Sequence, residues 1–194
     1  MELLTIFNDK FERIGVASRD EAHANGLWHE TFHCWLVNPH QQTIFLQLRS
    51  ACKKDYANLF DITAAGHLLA TETVEDGIRE MEEELGYAQP FTQLKKVGVL
   101  PSIMTTAAIK DNEFCHVFIA EVAQVPAFQL QQEEVADIIQ LPLPTFYELL
   151  EGRPLVTEAT GLCTGQLYAV DASSIVPHSP TYFKSLMAYL RAAY

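Results

Sequence analysis

The chain has 194 residues, 48% of them hydrophobic and 20% charged, and its formal net charge is −12. It is long enough to bury a core and ordinary enough to be globular, and no stretch reaches the roughly 18–20 apolar residues of a membrane helix. The acidic surplus opposes nonspecific binding to nucleic acid, whose affinity comes from Lys and Arg on phosphates, so an anionic substrate calls for a cation as intermediary.

In chain order, residues 3–8 and 13–18 are expected to pair as strands around Asp9-Lys10-Phe11-Glu12. Residues 31–37 and 43–48, rich in β-branched and aromatic side chains, flank the turn-like Asn38-Pro39-His40-Gln41-Gln42 and predict a hairpin. Residues 74–85 predict a helix, with Thr73 as N-cap, Asp76 three residues on, and Gly86 in the left-handed position beyond its end. Residues 97–100, 114–122 and 138–141 read as further strands and 145–150 as a short helix. Segment 151–173, carrying Gly152, Pro154, Gly161 and Gly165, reads as a long loop or a short hairpin over the core. Residues 182–193 predict a C-terminal helix after Ser179-Pro180. Strands and helices mix without βαβ alternation, which points to an α+β or mixed-sheet sandwich.

Met1-Glu2-Leu3-Leu4 has no basic region followed by an apolar one, so a cytoplasmic address is expected. Cys34, Cys52, Cys115 and Cys163 are widely spaced and form no CxxC pair, which argues for reduced, mostly buried thiols rather than zinc or disulfides.

The informative stretch runs from Gly66 to Tyr87. At about 100° per residue, Ile78, Met81 and Leu85 share one helix face, while Glu80, Glu83 and Glu84 fall together on another and Glu82 points away. Converging acids repel by a few tenths of a kcal/mol per pair, and near a helix C-terminus they meet a negative macrodipole. A hard divalent cation, Mg2+ or Mn2+, would relieve both, since such ions take carboxylate oxygens and bridge to phosphates. Spacing alone leaves a solvated acidic face open as the alternative.

The wider pattern resembles the Nudix box: Gly, five residues, Glu, seven residues, Arg-Glu, an aliphatic, any residue, Glu-Glu, any residue, Gly. Gly66 and Glu72 match its first part, and Arg79-Glu80-Met81, Glu83-Glu84 and Gly86 its second. Six residues rather than seven separate Glu72 from Arg79, Thr71 stands where Gly is common, and Tyr87 replaces an aliphatic. The resemblance implies an α+β fold, a Nudix-like mixed-sheet α/β/α sandwich with an N-terminal hairpin and a C-terminal helix. It implies one domain over residues 1–194, with a core at about 28–145, N-terminal strands in 1–27 and a C-terminal extension in 146–194.

It further implies that Glu80, Glu83 and Glu84 hold the cation while Arg79 orients them. Water would then attack a phosphorus of a nucleotide or other small-molecule diphosphate, with Glu83 and Arg79 in the catalytic set. Gly66 and His67 are expected to line the substrate side. Arg49, Lys53 and Lys54 are candidates for phosphate contact, with solvated surface as the blander role. Glu113, opening a strand after Lys110-Asp111-Asn112, is the candidate general base, ahead of Glu133 and Glu134.

Residues 27–33, the hairpin ending in Leu48-Arg49-Ser50, residues 60–67 and Asp111-Asn112-Glu113 are similar to the Nudix branch containing isopentenyl-diphosphate isomerases. In those enzymes histidines and acids hold a metal, and His29, His67, Asp111 and Glu113 fall at or near the corresponding positions. The isomerases also need a cysteine just before the Gly-His pair, and here that residue is Ala65, which has no proton to exchange. With the hydrolase acids retained, a hydrolase is the favoured reading. An isomerase-like enzyme and a nucleotide-sensing module without turnover are the alternatives. Trp28, Phe32, Trp35 and Phe118 are candidates for stacking on a base or prenyl group, with core packing as the commoner role. Dimers dominate among soluble oligomers, which makes a homodimer the assembly to consider.

Overall fold

The structure, a computed structural model, describes residues 2–105 and 110–194. Strands β1 (Leu3–Phe7) and β2 (Arg13–Ser18) form the expected antiparallel hairpin, with Leu4 and Ile6 turned inward. Ser18 ends β2 and caps a helix the sequence reading missed, α1 (Arg19–Asn25). Its hydroxyl accepts the Glu21 N–H at 3.3 Å and the Glu21 carboxylate accepts the Ser18 N–H at 3.0 Å. Gly26 closes the helix at φ 62°.

The sheet is organised around the long strand β3 (Trp28–Asn38). Along one side it runs parallel to β8 (Lys110–Glu121), which pairs in turn with β7 (Lys95–Thr105). Along the other side it meets three antiparallel partners in succession: β1, then β6 (Ala64–His67), then β4 (Thr43–Arg49). The expected hairpin of β3 and β4 therefore pairs only at Val37↔Ile44 and Asn38↔Thr43, after which β4 leaves to join β5 (Phe60–Asp61) and β9 (Val135–Pro142).

Alternation along β3 divides the core between two faces. Phe32, Cys34 and Leu36 pack with Met81 and Leu85 of helix α2 (Arg79–Leu85). Trp35 and Val37 pack on the opposite side with Phe146 of α3 (Leu143–Leu150) and with Tyr182, Leu186 and Leu190 of α4 (Pro180–Ala193). These three layers form the α/β/α sandwich. Segment 151–173 holds a hairpin, β10 (Thr157–Thr160) with β11 (Leu167–Val170).

Two expectations need correction. The helix expected over 74–85 is a single 3-10 turn at Asp76–Ile78 followed by α2, and Thr73 does not cap it: the Thr73 N–H and hydroxyl both donate to Asp76 at 2.7 Å. The thiols are evenly divided, Cys34 and Cys115 buried and Cys52 and Cys163 exposed, because the latter two sit in turns. Among the described residues no helix is long and apolar enough to cross a membrane.

Candidate active site

Register brings the chemistry-bearing side chains together. His29, Thr31 and His33 alternate along one face of β3, and that face extends over Ala65 and His67 of β6 and over Asp111 and Glu113 of β8. Helix α2 lies on the opposite face, yet its acids reach this side where β4 and β6 splay apart. There Glu84 accepts hydrogen bonds from the Ala65 N–H at 3.2 Å and from Gln47 Nε2 on β4 at 3.3 Å. A cavity of about 560 Å3 opens over the assembly, lined among others by Glu80, Glu83, Glu84, His67, Glu113 and His178.

Arg79 is the hub of the acidic end. Its guanidinium donates to Glu72 at 2.6 and 3.1 Å, to Glu83 at 3.0 Å and to the His67 carbonyl at 3.1 Å, and lies 2.7 Å from Glu80. The shortened loop thus still delivers Glu72 to Arg79, and Glu72 also accepts the Leu69 N–H at 2.8 Å. Burial pushes the Glu80 carboxyl up to about 7 despite Arg79 beside it, and burial together with Glu80 pushes Glu84 up to about 8. Glu83 stays exposed at the rim. Gly66 is where Glu80 needs space: a Cβ there would lie 2.1 Å from the Glu80 carboxyl carbon.

A second corner holds His23 of α1 with His29, His67 and Asp111, their ligand-type atoms all within 4.8 Å of one another. Here His23 Nε2 is 3.2 Å from His67 Nε2, and His29 Nε2 is 3.3 Å from Asp111 Oδ1. Burial holds His67 well below the usual imidazole range and His23 below it too, so both rings present lone pairs at neutral pH. His29 Nε2 and Asp111 Oδ1 are buried without a hydrogen-bond partner.

The third part is buried more deeply. Asp61 accepts from His178 Nε2 at 2.7 Å and from Arg49 Nη1 at 3.0 Å; although burial opposes it, these partners hold the carboxylate below its usual range. Glu113 lies 3.6 Å from the Cys115 thiol and 3.9 Å from His33 Nε2, and burial pushes its carboxyl well above the usual range.

The NUDIX domain profile matches residues 27–155. The chain belongs to the Nudix hydrolase family. Over 100% of its length and 98% of the relative's, it is 32% identical to an uncharacterized Nudix hydrolase of Clostridium acetobutylicum. It is also 26% identical to an isopentenyl-diphosphate Delta-isomerase of Halorhodospira halophila, over 83% of this chain and 100% of that one. The crystal structure of DR0079 from Deinococcus radiodurans shares the fold, with a TM-score of 0.57 at 18% identity over 100% of this chain and 99% of that one.

The residues singled out from the Nudix chain are not equally placed. Glu80, Glu83, Glu84, Arg79, Gly66, His67 and Glu113 border one cavity. Arg49 borders it too, but its fork is taken by Asp61 and the Asp55 carbonyl. Lys53 is paired with Glu134. The proposed stacking aromatics line no part of the cavity: Trp28 stacks on Phe114, Phe32 on Phe118, and Trp35 donates to Tyr182. Sequence reasoning passed over His23, Asp61 and His178. His23 follows a legible Ser18-to-Glu21 capping box, whereas His178 lies outside the matched region in Pro177-His178-Ser179-Pro180 and carries no local signal.

Proposed function

We propose that this Nudix chain hydrolyses a diphosphate linkage in a small molecule with Mg2+ or Mn2+, Glu80, Glu83 and Glu84 holding the ion. The observation that carries this reading is the meeting of half-buried Glu80 and buried Glu84 at the cavity beside Arg79, where burial raises both carboxyls above the usual range. Carboxylate oxygens suit a hard divalent cation; those of Glu80, Glu83 and Glu84 do not all lie within 4.8 Å of one another as the ligand atoms of the histidine corner do, so the ion would have to draw them together. When bound, the ion would acidify water and balance charge on phosphoryl oxygens. Arg79 holds Glu80 and Glu83 in register, Gly66 leaves room for Glu80, and His67 and Arg49 border the substrate. Glu113 is the proposed base; that role requires loss of the proton that burial retains, which a nearby cation favours. We read residues 1–194 as one domain acting on a free small molecule.

A second reading is favoured by one observation, the three histidines and Asp111 converging in one corner. That corner suits a softer or borderline divalent ion and fits isomerase-like chemistry, against which stands Ala65. Release, isomerisation and binding, each measured on the same diphosphate panel, separate the readings. Phosphate or diphosphate release is followed over nucleoside and isoprenoid diphosphates with Mg2+ or Mn2+, for wild type and Glu83→Gln. Metal-dependent turnover that falls at least ~100-fold in the variant is expected, in line with losing a group that acts in the transition state. Isomerisation of isopentenyl diphosphate by the wild type would instead establish the second reading. Tight binding without turnover would make the chain a sensor.

A further inference from the structure

Apart from Glu113, the proposed base, the deep wall of the cavity has no part in the carboxylate chemistry. Asp61 can only accept hydrogen bonds while ionised, so a neutral His178 must carry its hydrogen on Nε2, 2.7 Å from Asp61 Oδ1. Its Nδ1 is then a bare acceptor, and it is buried with no partner. Across from it, at 5.8 Å between ring centroids, stands His33. Trp35 Nε1 can only donate, and it donates to the Tyr182 hydroxyl at 3.1 Å. That leaves the Tyr182 hydrogen for His33 Nδ1 at 3.0 Å and puts the His33 hydrogen on Nε2. The nearest acid, Glu113, is 3.9 Å away, beyond hydrogen-bond reach. The wall therefore holds an unused donor on His33 and an unused acceptor on His178, two residues that line the cavity.

We propose that this wall is a subsite for a hydroxyl-bearing organic group on the diphosphate substrate, with His178 and His33 as its specificity-determining residues. A hydroxyl both donates and accepts, and so satisfies the two rings at once. A prenyl or other hydrocarbon group leaves both desolvated and unpaired. No Phe or Trp lines the cavity among the described residues, and Tyr56 is its one phenol ring, so a nucleobase has no pair of such rings to lie between. The inference deepens the hydrolase reading and rests on it for the diphosphate end alone. His178 comes from the segment after the matched NUDIX region, so the C-terminal extension would choose the substrate while the box supplies the chemistry.

The test uses two probes of equal charge and carbon count, glycerol 1-diphosphate and propyl diphosphate. Binding is measured by calorimetry with Mg2+ and turnover by phosphate release, for wild type, His178→Ala and the less disruptive His178→Gln. Wild type should favour the glycerol compound by about 10-fold or more in Kd or kcat/KM, and His178→Ala should bring the ratio to near unity. Because the ratio is taken within one preparation, partial unfolding cancels from it, and His178→Gln serves if the alanine variant does not fold. A preference that is present and erased by substitution, with no turnover of either probe, would sink the hydrolase reading and leave the subsite standing. Equal handling of the two probes, a preference for propyl diphosphate, binding of neither, or a preference unmoved by both variants would overturn the subsite.

Discussion

Glu84 joins function and stability in opposite senses. Folding buries its carboxyl, so the folded chain holds a proton that the unfolded chain releases above its ordinary value of 4.5, up to about 8. In that window the unfolded state binds fewer protons, and stability of the metal-free protein must fall as pH rises. Glu84→Gln removes the titration while keeping an oxygen for the Ala65 N–H. The metal-free variant is expected to melt like wild type at pH 5 and a few degrees higher at pH 8.5, a gain of roughly 1–3 kcal/mol. Its metal-dependent activity should fall at both pH values. Thermal melts in chelator alongside phosphate release check the pair of outcomes, and a variant melting below wild type at pH 8.5 would refute the account. The same residue shows what sequence could and could not reveal. Helical spacing placed Glu84 beside Glu80, but its burial depends on where β4 and β6 part, which no local pattern encodes.

Among elements, α1 is the instructive case. Seven residues with only Ala22 buried give no apolar stripe, so periodicity was silent there. The Ser18-x-x-Glu21 box and Gly26 are nonetheless readable end signals that place His23 on a helix, and the fold then sets it 3.2 Å from His67. Strands over 3–7 and 13–18 were legible because alternation and a polar turn speak locally. The parallel pairing of β3 with β8 was not, since it joins segments some eighty residues apart in register. Ser18→Ala should cost about 1 kcal/mol by leaving the Glu21 N–H without its cap. For a chain of this length that is roughly 2–4 °C in Tm, measurable by calorimetry. Because α1 carries His23, the variant should also weaken Co2+ or Zn2+ binding at the histidine corner, read from the metal's spectrum or by calorimetry. Unchanged metal affinity would mean that His23 is held by its neighbours rather than by its helix.

Taken together, the protein carries a net charge of −12 and is proposed to act on an anion, two facts that conflict at a distance. Like charge slows the approach of substrate, and salt screens it, with a Debye length of about 30 Å at 0.01 M and about 8 Å at 0.15 M. The cavity does not offset this: acids outnumber basic residues along its lining, and Arg49 and Lys53 are each committed to an acid, Asp61 and Glu134, so they offer little free attraction. Global charge should therefore set the sign. With Mg2+ held saturating, kcat/KM is expected to rise about two- to five-fold between 10 and 150 mM salt while kcat stays nearly constant, because screening acts on encounter and not on the bound state. A fall in kcat/KM over that range would mean that the cation-filled site dominates the approach. The carboxylate trio would then create an inward field for anions once its ion is bound, and the excess acid elsewhere would serve solubility alone.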